Sequence, residues 1–232
     1  MNGRLSIVAT PIGNLDDLTI RAQAAFQQAD FILCEDTRVT RVLLDRFGIA
    51  KPLIPYHQHS RLKRIEDIIE WIQSGKNAVL VSDAGTPGVA DPGNILVARA
   101  VEAGISVEPI PGPSALTALL SVAGVPTDRF TFLGFLPHKK GRETLLKEIG
   151  MSKYPVLFFE STHRIIKALD QLNDNCPERL LVVGRELTKI YEEVLRGTAA
   201  EVKTQLSTDP KRQKGEFIVL VRPETSRQPE VE

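Results

Sequence analysis

The fold is decided at Ser82-Asp83-Ala84-Gly85-Thr86-Pro87, which directly follows the apolar run 78–81. An apolar run of that length predicts a buried strand, and the small residues and proline after it mark the passage into a helix. In α/β proteins, ligands bind at the carboxyl ends of strands. Two further junctions, at 10–14 and 111–115, have the same character. Together the three junctions predict one small-molecule site with walls made of backbone.

Apolar runs alternate with amphipathic segments through the first half of the chain, which is typical of βαβ units. We predict strands near 4–9, 30–34, 52–56, 78–82 and 106–110, and helices near 18–29, 37–47, 60–74 and 93–103. Three prolines within 109–113 then interrupt the pattern, because proline resists both helix interiors and central strands. A small-residue helix is expected to start at Ser114.

Strand-like runs come more densely after residue 126. We predict strands near 130–136, 155–160, 180–185, 190–196 and 216–222, and helices near 140–149, 162–174 and 199–207. The runs 180–185 and 190–196 are too close for a parallel crossover, so we expect them to pair antiparallel. The sequence therefore predicts an α/β protein with a mostly parallel N-terminal domain, a mixed-sheet C-terminal domain and a disordered tail. The predicted boundaries are 1–112, 113–223 and 224–232.

The bulk composition limits the possible partners. Among the 232 residues, 29 Lys and Arg balance 29 Asp and Glu, so the net charge gives no global attraction to nucleic acid or to an anionic membrane. Cys34 and Cys176 are the only cysteines, which argues against a disulfide framework. The N-terminal apolar run is ended by Pro11 and is too short for a signal peptide or membrane span. We expect a cytoplasmic protein with no membrane partner.

Polar residues at several strand ends are compatible with more than one role. Glu35 and Arg38 either orient a polar substrate or belong to a capped helix with a local ion pair. Ser114 either lends the N–H groups of its helix to an anion or caps that helix. Asp91 is a candidate ligand contact, although its position before a proline favours a helix cap.

His57 and His59 would share one face of a strand, but no third ligand accompanies them, so we expect structural histidines and no metal site. Basic clusters such as Lys139-Lys140 and Lys211-Arg212 are balanced by acids and are usually solvated faces. If several of them line one cleft, they would form a track for RNA phosphates.

Taken in order, the motifs resemble the tetrapyrrole methylase superfamily of S-adenosylmethionine-dependent methyltransferases. The resemblance rests on the runs at 10–15, 35–38, 81–87, 91–93, 111–115, 134–137, 159–164, 185–189 and 214–216, and it spans about residues 5–222. The runs Ser-Asp-Ala-Gly-Thr-Pro at 82–87 and Glu-Ser-Thr-His-Arg at 160–164 are similar to the branch that methylates the RNA of the small ribosomal subunit, and differ from the cobalamin and sirohaem branches.

This resemblance implies two α/β domains with S-adenosylmethionine in the cleft between them, a homodimer, and methyl transfer to the ribose 2′-oxygen of a cytidine in the decoding region of 16S rRNA. The residues expected to hold the cofactor are Pro11, Gly13, Asp83, Ala84, Gly85, Thr86, Ser114 and Ala115. Candidates for a general base are Glu35, Glu160, Glu186 and Lys189. The residues expected to bind RNA are Arg38, Lys139, Lys140 and Arg164. The chemistry requires no metal.

Two other functions remain open at this point. The first is methylation of a small tetrapyrrole-like molecule or a protein side chain, for which a wide apolar bowl would face the methyl group. The second is a non-catalytic accessory protein that binds the cofactor or RNA. Related bacterial enzymes commonly carry a further small helical region at the C-terminus. If that region grips the ribosome, we expect this chain to bind RNA more weakly or through a partner.

Overall fold

The structure is a computed structural model that describes residues 3–57, 62–91 and 93–223. It divides into two units, Met1–Ser114 and Ala115–Glu232. The predicted tail at 224–232 and His59 lie outside the described residues. Within the described ranges, no helix is long and apolar enough to cross a membrane.

A parallel sheet organises the first unit. Its strands are β1 (Arg4–Val8), β2 (Phe31–Cys34), β3 (Leu53–Pro55), β4 (Ala78–Leu80) and β5 (Ser106–Ile110), in the spatial order β3-β2-β4-β1-β5. The helices are α1 (Ile20–Gln28), α2 (Thr37–Arg46), α3 (Leu62–Gln73) and α4 (Asn94–Glu102), with a 3₁₀ turn at Leu15–Asp17. Every strand pair in this sheet is parallel, which confirms the predicted architecture of this part of the chain.

Two buried clusters cover the two faces of this sheet. Phe26 from α1 and Leu44 from α2 belong to one cluster, whereas Ile68 from α3 and Leu96 from α4 belong to the other. Burial on both faces explains why the inner strands β2 and β4 appear in the sequence as continuous apolar runs rather than alternating ones. The sheet order also places the carboxyl end of β1 between those of β4 and β5. The three junctions singled out in the sequence therefore leave the sheet side by side.

A mixed sheet organises the second unit. Its strands are β6 (Thr131–Phe135), β7 (Val156–Ser161), β8 (Leu180–Arg185), β9 (Glu193–Thr198) and β10 (Glu216–Val221), in the order β6-β7-β10-β8-β9. The helices are α5 (Ala115–Val122), α6 (Arg142–Met151), α7 (Ile165–Asn175) and α8 (Ala199–Ser207), with a 3₁₀ turn at Pro210–Gln213. Only β6 and β7 pair in parallel among these strands, and the antiparallel β8–β9 pair confirms the prediction from their short connection.

Two predicted details are wrong. The strand expected at 190–196 begins at Glu193, because successive turns occupy the residues before it: Lys189 N donates to Glu186 O and Glu192 N donates to Lys189 O. Asp91 does not cap the helix that follows it. The N-cap of α4 is Gly93, whose φ of 143° is a left-handed conformation that a side chain disfavours.

Candidate functional site

The loops after β1 and β4 are joined by a two-residue bridge. Thr10 N donates to Gly85 O at 2.9 Å, and Gly85 N donates to Thr10 O at 3.0 Å. The Thr10 hydroxyl adds a hydrogen bond of 3.2 Å to Ser82 O. The bridge holds the two loops at a fixed separation in front of the sheet edge. It brings together Pro11 and Gly85, two of the residues predicted to hold a cofactor.

The loop after β5 approaches the same place. A methyl group added at Gly85 would lie 3.5 Å from Ile12 Cγ2 and 3.9 Å from Pro113 O, and the φ of Gly85 is +77°. The Thr86 hydroxyl donates to Pro113 O at 3.5 Å. Glycine at position 85 therefore combines a left-handed conformation with a narrow gap between three loops. We call the space between these three loops the cradle. Thr10, Ile12, Gly85, Thr86 and Pro113 border it, mostly through backbone and small groups.

The other residues predicted to hold the cofactor differ in their burial. Pro11 is buried and Ser114 is half-buried, whereas Gly13, Asp83 and Ala84 are exposed to solvent. Ala115 begins α5 and belongs to the second unit.

Three carboxyl groups interact at this edge of the sheet. Glu35 follows β2, and Asp83 and Asp91 follow β4, its neighbour in the sheet. Burial, together with repulsion from Asp91 and Asp83, raises the pKa of Glu35 to about 7. Burial is also the main reason that the pKa of Asp91 is raised, with a hydrogen bond from Ser82 partly offsetting it and the charge of Asp83 adding to it. A carboxyl group with a pKa near 7 can take up a proton at neutral pH, as a general base must.

Asp36 shows the opposite electrostatic behaviour one residue away. Its side chain caps α2 by accepting from Arg38 N at 2.8 Å, and its carboxylate also pairs with the Arg38 guanidinium at 2.6 Å. These hydrogen bonds lower the pKa of Asp36 to about 2. Asp36 N in turn donates to Asp83 Oδ1 at 2.9 Å, which links the end of β2 to the loop after β4. The capped helix with a local ion pair is therefore present, and Arg38 still leaves 89% of its side chain exposed.

Sequence reasoning selected Glu35 and Asp83 separately but missed that they share an environment with Asp91. The available signal was the rule that parallel strands end at one edge of a sheet. The strand order, which places β2 beside β4, was not available from the sequence. The structure also gives Asp91 a place in this acidic group rather than at a helix cap.

In the second unit, Glu160 is enclosed by two arginines. Its side chain is fully buried, and its oxygens lie 3.1 Å from Arg142 Nη2 and 2.6 Å from Arg164 Nε. Ser161 N donates to Glu160 Oε1 at 2.9 Å. Arg142 also donates to Gln171 Oε1 and Pro137 O. This carboxylate ties β7 to two helices, and both of its oxygens already have partners.

Glu186 and Lys189 form a second paired group at the same edge of the mixed sheet. Lys189 Nζ lies 2.9 Å from Glu186 Oε1 and 3.0 Å from Glu216 Oε2. Glu216 N also donates to Glu186 Oε1 at 2.9 Å. These hydrogen bonds lower the pKa of Glu186 against the opposing effect of burial, which is the largest single influence, and they raise the pKa of Lys189 in the same way. Both side chains are held by partners inside the second unit.

Backbone strain accompanies this second group. Glu186 and Thr188 have φ values of 49° and 67°, which non-glycine residues seldom adopt. At Gly215, a methyl group would lie 2.6 Å from Glu186 Cγ, so only glycine fits beside this side chain.

The residues predicted to bind RNA in the second unit differ in exposure. Lys139 and Lys140 are exposed between β6 and α6, and Arg164 is half-buried and donates to Leu136 O. The structure thus brings Arg164 to Glu160, and Lys189 to Glu186.

Comparison with known proteins places the chain in a family. Residues 4–203 match the family described as Tetrapyrrole (Corrin/Porphyrin) Methylases. A protein of Xylella fastidiosa named ribosomal RNA small subunit methyltransferase I is 49% identical over 222 residues, which cover 95% of this chain and 81% of the relative. A protein of the same name from Thermotoga maritima is 41% identical over 94% of this chain and 98% of the relative.

A solved structure of diphthine synthase superposes with a TM-score of 0.76 at 18% identity, covering 96% of this chain and 91% of that one. At that identity the likeness shows the fold alone. The family match covers the motifs between residues 10 and 189. The chain therefore belongs to the tetrapyrrole methylase family, in the group represented by the ribosomal RNA small subunit methyltransferases I.

Proposed function

We propose that this protein transfers a methyl group from S-adenosylmethionine to the ribose 2′-hydroxyl of a cytidine in the decoding region of 16S rRNA. The observation that carries the proposal is the 49% identity, over 95% of the chain, to a relative named ribosomal RNA small subunit methyltransferase I. The proposal includes the homodimer and the cytoplasmic location that the family resemblance implies. The substrate is 16S rRNA, free or within the small ribosomal subunit.

The cradle in the first unit suits a cationic, backbone-bound cofactor. Burial and the charge of Asp83 raise the pKa of Asp91, and a bound cation would offset both effects there. S-adenosylmethionine carries a sulfonium and an ammonium group, and when bound it supplies an electrophilic methyl group. Gly85 leaves room for it between the loops. The residues assigned to hold it are Pro11, Gly13, Asp83, Ala84, Gly85, Thr86, Ser114 and Ala115.

Glu35 is the general base that the geometry supports best among the four candidates. Glu160 is saturated by two arginines, and Glu186 and Lys189 are paired with each other. Among the described residues, no cation lies within ion-pair distance of Glu35, and its pKa near 7 lets it accept the proton of the 2′-hydroxyl at neutral pH. Glu35 would then hold that proton while the ribose oxygen bonds to the methyl carbon and the bond from that carbon to the sulfonium sulfur breaks, which leaves a neutral thioether. Correct placement of that oxygen relative to the methyl group supplies the rest of the rate enhancement.

Arg38, Lys139, Lys140 and Arg164 are the residues assigned to RNA phosphates. Because the net charge of the chain is zero, local groups of this kind must supply the attraction to RNA. Arg38 and the two lysines are exposed, whereas Arg164 has much of its capacity committed to Glu160. Arg38, Lys139 and Lys140 are therefore expected to contribute more than Arg164.

The deciding experiment is transfer of labelled methyl groups from S-adenosylmethionine to small ribosomal subunits that lack their own ribose methylation. We expect the label on the 2′-oxygen of a cytidine in the decoding region, located by nucleotide mapping. Binding of the cofactor without any transfer to RNA would reject the proposed reaction and favour a protein or small-molecule substrate, or an accessory role. Transfer to a base nitrogen or carbon would reject the ribose chemistry.

A further inference from the structure

A pocket of about 260 Å³ lies beside the cradle in the first unit. Four aliphatic side chains form its walls, from Leu15 in the 3₁₀ turn and from Val39, Val42 and Leu43 on α2. Thr10, Pro11, Ser82 and Asp83 line it as well, and all four belong to the loops that form or border the cradle. A group in this pocket would therefore lie next to whatever the cradle holds.

The size of the pocket limits its ligand. Sites for drug-sized ligands have volumes of roughly 300–1,000 Å³. At about 260 Å³, this pocket can hold a single small ring system but not a tetrapyrrole. Aliphatic walls are suited to the two apolar faces of a flat ring, as in enzymes that take a nucleobase out of its stack.

The polar side of the pocket calls for a hydrogen-bond donor on the ligand. The Thr10 hydroxyl donates to Ser82 O, and the Ser82 hydroxyl hydrogen is shared between Ala84 O and the Asp91 carboxylate, so both hydrogens are already used. Asp83 Oδ1 accepts from Asp36 N at 2.9 Å. In the part of the chain that the structure describes, Asp83 Oδ2 receives no hydrogen bond. Carboxylates accept from the exocyclic amine of cytosine, which uracil lacks.

The outer wall of the pocket combines apolar and cationic side chains. Val39 and Val42 are 45% and 62% exposed, which is high for large apolar groups, and Arg38 and Arg41 lie beside them on the same helix. Arg38 precedes Val39 and Arg41 precedes Val42 in the sequence, so positive charge and apolar surface lie next to each other. A nucleotide has the same two parts, a flat base and an anionic phosphate.

We propose that this pocket receives the target nucleobase, extruded from the RNA, and that Asp83 Oδ2 selects a base that carries an amino group. The inference rests on the proposed function, and it extends the role of Asp83 from the cofactor to the choice of base. Arg38 and Arg41 would hold the phosphates at the mouth of the pocket. Thr10 and Pro11 belong to both the pocket and the cradle, so a base seated here carries its ribose towards the cradle.

The test fills the pocket from its exposed wall. Val42→Phe adds a ring where the base should lie, and Val101→Phe is a matched control because Val101 on α4 is also 62% exposed. Cytidine 5′-monophosphate and uridine 5′-monophosphate are titrated against each protein by ligand-observed NMR. The affinity for S-adenosylmethionine is measured by calorimetry.

We expect wild type to bind the cytidine nucleotide about tenfold more tightly than the uridine nucleotide, the lower range for one base-reading contact. Val42→Phe should weaken cytidine binding at least tenfold and leave cofactor affinity within twofold, whereas Val101→Phe should change neither. Val39→Phe gives a second way to fill the pocket if Val42→Phe does not fold.

Equal affinity of wild type for the two nucleotides would overturn the selection by Asp83. Unchanged cytidine binding in Val42→Phe would overturn the pocket itself. Loss of cofactor binding in Val42→Phe would assign the pocket to the cofactor instead. Because these measurements do not require turnover, an enzyme that binds cytidine nucleotide here but methylates no RNA would count against the proposed function and not against the pocket.

Discussion

The two sheets of this protein use acidic residues at their edges in different ways. At the edge of the parallel sheet, Glu35, Asp83 and Asp91 lie near one another and burial raises the pKa of two of them. At the edge of the mixed sheet, Glu160 and Glu186 are neutralised by arginine and lysine. The sequence signal is the same in both, a strand followed by a polar turn. What separates them is whether a cation lies within reach of the carboxylate.

This contrast predicts that the acids at the edges of the two sheets have different roles. A carboxylate with every oxygen occupied fixes loops and contributes to stability, whereas a partly buried carboxylate without a cation is free to exchange a proton or bind a positive ligand. Removal of an acid should therefore affect folding in the second unit and chemistry in the first. The variants below test that division.

The largest effect is expected for Glu160→Ala, on stability. The change leaves the buried Arg142 and the half-buried Arg164 without a counter-charge, and removing one partner of a buried ion pair costs about 3–5 kcal/mol. Urea unfolding measures the loss. Lys203→Ala is the control, because it breaks an exposed pair with Asp170 and should cost no more than about 1 kcal/mol. A stable Glu160→Ala protein without turnover would instead place Glu160 in the chemistry.

The next effect is expected for Gly85→Val, on cofactor binding. The new side chain would enter the gap that Ile12 and Pro113 border, so we expect the affinity for S-adenosylmethionine to fall at least about 100-fold, or about 2.7 kcal/mol. Gly104→Val is a matched control, because Gly104 has a similar φ of +69° but no atoms within 4 Å of an added methyl group. Both variants carry the same backbone strain, and only Gly85→Val should lose calorimetric binding. Equal losses would show that strain, not the cradle, is responsible.

Glu35→Gln should lower turnover by about 100-fold, at the low end of general-base effects, and leave cofactor affinity within a few-fold. Wild-type turnover should rise with pH through about 7, since Glu35 must be ionised to act, and Glu35→Gln should lose this rise.

The same carboxyl group should make stability depend on pH. Folding raises the pKa of Glu35, so its stabilising contribution is present below its ordinary pKa and lost as pH rises through about 7. Glu35→Gln should therefore be more stable than wild type above pH 7. If the turnover of Glu35→Gln depends on pH in the same way as that of wild type, Glu35 is not the general base.

The sequence predicted strand positions well where they depended on local composition. The apolar runs placed β4 and β10, because β4 is apolar and buried throughout and β10 is apolar and buried after Glu216. The short connection between β8 and β9 was enough to predict their antiparallel pairing. These features arise from residues close together in the chain, so a local pattern contains them.

The candidate site was less predictable because its contacts are distant in sequence. Glu160 pairs with Arg142, 18 residues away, and its position at the end of a predicted strand gave no sign that this acid would be buried. The bridge between Thr10 and Gly85 joins residues 75 apart. Asp91 is not the helix cap that was expected, because the N-cap of α4 is Gly93, two residues later. Each of these outcomes depends on which strands become neighbours.

The smallest effects are expected for single cations on the proposed RNA path. Arg38→Ala and Lys139→Ala should each weaken binding of small subunits or RNA about threefold to tenfold and reduce the slope of log affinity against log salt by about 0.7, the value for one phosphate contact on a single strand. Lys147→Ala is the control, because Lys147 is exposed on α6 and pairs with Glu143. Filter binding between low and moderate salt measures the slope. Arg38 tests the comparison of the two sheets most directly, because its guanidinium is already paired with Asp36 yet mostly exposed. If Arg38→Ala changes neither affinity nor slope while Lys139→Ala changes both, the ion pair with Asp36 is structural, and the paired residues of both sheets follow one rule.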